Sequence, residues 1–299
     1  MENKEATFKA GFIAIVGPPN AGKSTLLNRM LGEKISITSK KPQTTRNRIL
    51  GILHRPAAQL VFIDTPGIHA ASRPLNVRIV DQALGAIGDC DLVLFMVDTE
   101  APMPAAETLL LRKIKTVRTP VVLALNKIDL VPKEAVLLQL DLWKNEHDFS
   151  DMVPVSAAKG TQVDHLISVM ETFLPENPPF FPEDALTDVP ERFLAAELIR
   201  EKVFRLTGEE IPYASAVTIE SFSEKDRDKL ITIHATIHVE RDSQKGIVIG
   251  KQGAKLKEIG TAARKDLERM LGTKVFLKLF VRVQKNWSRD TRTLEKFGY

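Results

Sequence analysis

The sequence predicts a doubly wound α/β domain with a mostly parallel sheet, followed by a smaller α+β domain. Three observations predict it. From Phe12 to Leu174, apolar runs of strand length alternate with helical periodicities, the pattern of a parallel sheet covered by helices on both faces. Four prolines then crowd into residues 175–184, which neither a helix nor a central strand tolerates. Beyond them the order becomes helix, two alternating strands, helix and a third alternating strand,. We read residues 1–176 as the first domain, 177–189 as a proline-rich connector and 190–299 as the second domain. A chain of 299 residues with 43% hydrophobic content is long enough for two cores,.

Gly11 to Val16 has the composition of a buried strand, and Lys23 to Leu31 that of a helix with Leu26, Leu27, Met30 and Leu31 on one side. Between them stands Gly17-Pro18-Pro19-Asn20-Ala21-Gly22-Lys23-Ser24. This reads as a phosphate cradle. Gly22 permits close backbone approach to a polyphosphate, the N–H groups from Asn20 to Thr25 face it at a helix N-terminus, Lys23 reaches the outer phosphates, and the Ser24 hydroxyl suits Mg²⁺. Pro18 and Pro19 have no N–H, so the donors begin at Asn20.

The next stretch, Gly32 to Arg48, is polar and aperiodic and contains Pro42-Gln43-Thr44-Thr45-Arg46; it predicts a mobile loop. Asn47 to Leu53 and Gln59 to Ile63 are short strands, and the second runs into Asp64-Thr65-Pro66-Gly67. A carboxylate at a strand's C-terminal end suits a Mg²⁺-bound water, and the Gly67 N–H can meet a γ-phosphate. Leu75 to Ile87, Ala105 to Val117 and Val136 to Asn145 are helical in pattern; Asp91 to Asp98, Pro120 to Leu125 and Met152 to Val155 are strands. The strand ending at Leu125 delivers Asn126-Lys127-Ile128-Asp129. A carboxylate at Asp129 can accept from both N1–H and the N2 amino group of guanine, a pair adenine does not offer. Ser156 and Ala157 open a loop whose backbone can meet the guanine O6.

In the second domain Pro190 to Leu206 is helical, Ala214 to Ser223 and Leu230 to Glu240 form an antiparallel pair, Lys255 to Leu271 is helical and Lys274 to Val283 is the third strand. The link Val248-Ile249-Gly250-Lys251-Gln252-Gly253 carries two glycines that allow close approach to a nucleic-acid strand; Lys251 neutralises phosphate, Ile249 supports splayed bases, and Lys255 opens the following helix. The charge is distributed to match. Residues 241–299 hold 15 Lys or Arg against 6 Asp or Glu, whereas the rest holds 27 against 32, within a net charge of +4. The basic C-terminal tail therefore points to a polyanion. The lone Cys90, between Asp89 and Asp91, reads as a structural thiol,. No apolar run reaches 18 residues and the first residues lack a signal-peptide core, so the expectation is a cytoplasmic protein.

With these motifs in order, the chain resembles the Era GTPases, bacterial ribosome-assembly factors that join a P-loop GTPase domain to a type II KH RNA-binding domain. The resemblance rests on Gly17 to Ser24, Gln43 to Arg46, Asp64 to Gly67, Asn126 to Asp129, Ser156-Ala157 and Val248 to Gly253. It implies a monomeric switch that binds GTP and GDP, hydrolyses GTP with Mg²⁺, and grips the single-stranded 3′ end of small-subunit ribosomal RNA on the small ribosomal subunit, with peripheral association at the inner membrane face. It also implies that Thr44 or Thr45 closes over Mg²⁺, Thr45 being favoured, and that Lys23, Asn20, Thr45 and Gly67 serve hydrolysis. Ile68 stands where Ras-like enzymes have a water-orienting glutamine, which predicts slow intrinsic turnover. Asn20 resembles the asparagine of relatives that use K⁺ beside the phosphates. His69 reads as a loop histidine with no carboxylate neighbour in sequence to orient it as a base. A P-loop kinase or ATPase would share the cradle but has no use for Asn126 and Asp129. An RNA scaffold that binds nucleotide without significant turnover is the alternative compatible with Ile68.

Overall fold

The computed structural model describes residues 7–39, 41, 44–67, 85–208, 210–226 and 230–297, which fall into two compact units. Gln43, Ile68, His69 and most of the helix expected over Leu75–Ile87 lie outside the described residues.

In the first unit β1 (Lys9–Val16), β2 (Ile49–Arg55), β3 (Ala58–Asp64), β4 (Leu92–Asp98), β5 (Val121–Asn126) and β6 (Asp151–Pro154) form one sheet in the order β2-β3-β1-β4-β5-β6. Only β2 runs antiparallel to its neighbour. The helices are α1 (Lys23–Leu31), α2 (Pro104–Ile114), α3 (Lys133–Lys144) and α4 (Val163–Phe173). β3 and β4 are buried along their whole length, as expected of strands covered on both faces. The sheet winds outward in both directions from β1, so the crevice for a ligand lies at the C-terminal ends of β1 and its neighbours. Cys90 is half-buried and its thiol is pushed up to about 11, mainly by burial.

The stretch expected to serve as connector is fastened to the first unit. Asn177 N–H donates to Phe8 O at 3.2 Å, and Ile52 N–H donates to Leu186 O at 2.9 Å. The fully buried Gln59 accepts from the N–H groups of Phe180 and Phe181 at 2.7 and 3.1 Å and donates to Phe181 O at 2.8 Å. Phe180 also stacks on Phe12, with centroids 5.1 Å apart. Prolines cannot offer N–H groups to a neighbouring strand, and here the residues between them make the attachment.

The second unit contains α5 (Glu191–Leu206), β7 (Ala216–Asp226), β8 (Leu230–Val239), α6 (Asp242–Ile249), α7 (Ala254–Leu271), β9 (Val275–Val283) and α8 (Thr291–Lys296). β7 and β8 are antiparallel, while β8 and β9 are parallel. A parallel neighbour requires a crossover, which α6, residues 250–253 and α7 supply. Ile231, Ile233, Ala235 and Ile237 of β8 pack against Leu198 and Val203 of α5 and against Ile259, Ala263 and Leu267 of α7. Sequence periodicity did not separate α6 from the loop, because it is eight residues long and contains Gly246. Its start is fixed by Gln244, whose Oε1 accepts from the N–H groups of Glu240 and Arg241 at 2.9 and 3.0 Å. The basic tail is also ordered here. Trp287 is fully buried and donates through Nε1 to Ala214 O at 3.0 Å.

The described residues of Ile37–Thr44 belong to this second unit. Thr38 N–H donates to Glu201 Oε1 at 3.0 Å, and Lys41 Nζ donates to the carbonyls of Phe204 and Thr207 at 2.7 and 2.6 Å. The fully buried Arg200 donates to Thr44 O at 2.5 Å and pairs with Glu197. Where a mobile loop was expected, side chains of α5 hold the backbone without imposing any periodicity.

Candidate functional site

Chain reversal after β1 places Asn20 (φ 63°) and Gly22 (φ 97°) in left-handed conformations. A Cβ on Gly22 would stand 2.2 Å from Asn126 Nδ2, so both the backbone angle and the neighbour require glycine there. Lys23, only 6% exposed, donates through Nζ to Gly17 O at 2.9 Å and Pro18 O at 2.8 Å. Burial pulls its pKa down to about 8, against the pull of the Asp64 carboxylate. The cation is thus held over the loop whose N–H groups would face an anion.

Four oxygen-bearing side chains meet beside it. Ser24 Oγ donates to Asp64 Oδ2 at 2.8 Å and lies 3.0 Å from Thr45 Oγ1. Ser36 Oγ donates to the same Oδ2 at 2.7 Å. Thr44 faces elsewhere, donating to Lys41 O at 2.8 Å. Asp64 is fully buried and Oδ1 has no hydrogen-bond partner among the described residues. Burial raises its pKa, opposed by Ser36, Ser24 and Lys23. An orphaned carboxylate oxygen beside two hydroxyls is a hard-oxygen set that fits Mg²⁺. Thr65 Oγ1 donates to Ile15 O at 2.7 Å and ties the end of β3 to β1. Pro66 is buried, and Gly67 lies close to the cradle: a Cβ there would stand 2.7 Å from Pro19 Cα.

The raised pKa of Asp64 has a definite sign for stability. A carboxyl that binds its proton more tightly when folded contributes stability below its unfolded pKa, about 3.9, and that contribution is lost as pH rises through the folded value. Asp64→Asn should therefore stabilise the metal-free chain at neutral pH, on the order of 3 °C in Tm per kcal/mol. It should also remove most of the further stabilisation that Mg²⁺·GTP gives the unsubstituted chain. Thermal unfolding with and without Mg²⁺·GTP checks both; a lower metal-free Tm would contradict the assignment of burial as the dominant cause.

At the far end of the crevice Asn126 terminates β5. Its Nδ2 donates to Ala21 O at 2.7 Å and its Oδ1 accepts from Ala157 N–H at 2.9 Å. It clamps the cradle to the 156–157 turn. Lys127 (φ 69°) pairs with Asp98 at the end of β4. Asp129 is exposed, and its Oδ1 accepts from the buried Ser156 Oγ at 2.6 Å. The structure thus brings together residues 17–25, 45, 64–67, 126–129 and 156–157.

Sequence reasoning missed four contributors. They are Ser36, the Asn28 side chain that orders the backbone of Ile35 and Ser36, Arg29, which donates to the carbonyls of Ala157 and Ala158, and Asp98. None carries a local signal except Asp98, which ends a buried strand as Asp64 does.

In the second unit Gly250 (φ 71°), Gln252 (φ 53°) and Gly253 (φ 79°) shape the turn between α6 and α7. Lys251 and Gln252 are exposed, Ile249 is half-buried behind them, and Lys255 lies 2.7 Å from Glu258. The turn presents the exposed Lys251 and a short run of backbone at the head of α7.

Comparison with known proteins agrees with both halves. A family described as 50S ribosome-binding GTPase matches residues 12–127, and the KH domain family matches residues 210–288. GTPase Era of Geobacter metallireducens is 56% identical over 98% of both chains. The chain belongs to the Era family. GTPase Era of Staphylococcus haemolyticus is 45% identical over 97% of both chains. A crystal structure of Era in complex with MgGDPNP and nucleotides 1506–1542 of 16S ribosomal RNA superposes with a TM-score of 0.93 at 43% identity, covering 98% of this chain and 99% of that one. Among the described residues no helix is long and apolar enough to cross a membrane.

Proposed function

We propose that this chain binds GTP and GDP, hydrolyses GTP slowly with Mg²⁺, and binds the single-stranded 3′ end of small-subunit ribosomal RNA during small-subunit maturation. The observation that carries the nucleotide half is the Asp129 carboxylate, fixed by Ser156 and joined through Asn126 to a phosphate cradle containing Lys23. Backbone N–H groups from Asn20 to Thr25 hold the phosphates, Lys23 takes the outer ones, and the Gly67 N–H meets the γ-phosphate. Ser24 and Thr45 would hold Mg²⁺ directly and Asp64 through water. When bound there, the ion would supply positive charge to the phosphates. Loss of the γ-phosphate releases Thr45 and the 64–67 turn, which makes the site a switch. Support for the RNA half comes from the basic surface of residues 241–299, the 250–253 turn and the RNA-bound relative. A monomer in the cytoplasm, peripherally associated with the inner membrane face, completes the reading.

Asn20 stands exposed at the lip of the cradle. In this proposal Asn20 would help hold a K⁺ ion, which would supply positive charge to the transition state. Single-turnover hydrolysis should be faster in K⁺ than in Na⁺ buffer. Equal rates would remove the cation role, and tight GTP binding without cleavage in either buffer would favour the scaffold without turnover.

A further inference from the structure

The β7–β9 sheet is covered by α5, α6 and α7 on one face. Its other face carries the alternate residues of β9: Phe276, Lys278, Phe280 and Arg282. A strand facing water normally places polar side chains there, yet Phe276 is 52% and Phe280 45% exposed. The aromatics are interleaved with cations. Lys278 Nζ lies 5.1 Å from the Phe280 ring centroid, and Arg282 is exposed next along the strand. On β8, His234 is in register with Lys278 and lies edge-on to Phe276 at 6.5 Å. Phe297 of the tail lies on His238 at 4.4 Å at one end of this face; among the described residues none covers the part around the two phenylalanines.

We propose that this open face is a second surface for single-stranded RNA, separate from the 250–253 turn, on which Phe276 and Phe280 stack bases while Lys278 and Arg282 meet phosphates. Charge decides the occupant. A protein partner would favour a continuous apolar patch, whereas alternating aromatic rings and cations match the π-faces and phosphates of a nucleic-acid strand. Strand rise puts the two rings roughly 13 Å apart, far enough for a nucleotide between them over Lys278. At the edge of β9 a concavity of about 620 Å³, lined by Phe280, Arg282, Thr236 and Glu220 and by Asp242 and Lys245 of α6, leaves room for a base. Glu220 there can accept from an exocyclic amino group.

The inference rests on the RNA-binding reading above, and its test separates the two. Fluorescence anisotropy with full-length chain would compare a 20-nucleotide RNA with a tetranucleotide, the length the turn itself clamps. Phe276→Leu with Phe280→Leu keeps apolar bulk but removes the rings. It should weaken the 20-mer about tenfold or more per ring lost and leave the tetranucleotide unchanged. Phe276→Trp with Phe280→Trp should hold the 20-mer at least as tightly as the unsubstituted chain. Full 20-mer affinity in the Leu variant would overturn the second surface while leaving the turn intact, as would equal loss in the Leu and Trp variants. Failure of the unsubstituted chain to bind either RNA would overturn both readings.

Discussion

Asp129→Asn is expected to lower GTP affinity about a thousandfold or more and to transfer preference to xanthosine triphosphate. In the proposed base site the carboxylate would accept from both N1–H and the N2 amino group of guanine, and a charge-assisted pair in a fixed geometry is among the stronger hydrogen-bonding arrangements. Ser156 holds one oxygen of Asp129 at 2.6 Å, so the group cannot turn away when its partner changes. Asparagine would point an N–H at the guanine amino group, donor against donor, and an unsatisfied polar pair of that kind discriminates by about 10⁴–10⁵ where the site depends on it. Xanthine has a carbonyl at that position and would accept from the asparagine instead. Titration of the variant with GTP and XTP checks this; unchanged GTP affinity would remove Asp129 from the base site.

Lys251→Glu combined with Lys255→Glu should weaken RNA binding about a hundredfold at physiological salt and leave GTP affinity within about twofold. Lys251 is exposed at the apex of the 250–253 turn, and Lys255 follows one helical turn later, paired with Glu258 at the surface. That ion pair is surface-exposed and holds Lys255 only weakly. Phosphate contacts dominate nucleic-acid affinity, and for single strands each lost contact reduces the slope of log K against log salt by about 0.7. The double variant should therefore show both lower affinity and a salt slope shallower by about 1.4. An unaltered slope would mean that neither lysine meets a phosphate.

Much of the candidate site was legible as a cluster because its motifs are short and local. The phosphate loop, the Asp64 turn and the Asn126–Asp129 turn each follow a buried strand, so the parallel sheet delivers them to one edge without further information. The residues that brace those motifs were hidden. Ser36 lies in an aperiodic stretch and reaches Asp64 across 28 positions, and Arg29 meets Ala157 across 128. Only the folded chain makes them neighbours. Asn126 was read as part of the nucleotide site, yet both ends of its side chain are engaged by backbone, which gives it a clamping role that composition does not show. The same holds for Gln59, whose burial in β3 fastens the proline-rich stretch, and for Arg200 and Glu201 on α5, which hold Thr44 and Thr38. In the second unit the three strands were readable from alternation. The helix α6 was not, since eight residues with a central glycine carry too little periodicity.

The central claim is that one crevice couples a triphosphate cradle to a guanine-selective carboxylate. Displacement of a fluorescent GTP analogue from the intact chain, in Mg²⁺ buffer, by GTP and by ATP tests it most directly. The account predicts that ATP needs at least about a thousandfold higher concentration than GTP. Equal displacement by the two nucleotides would contradict it.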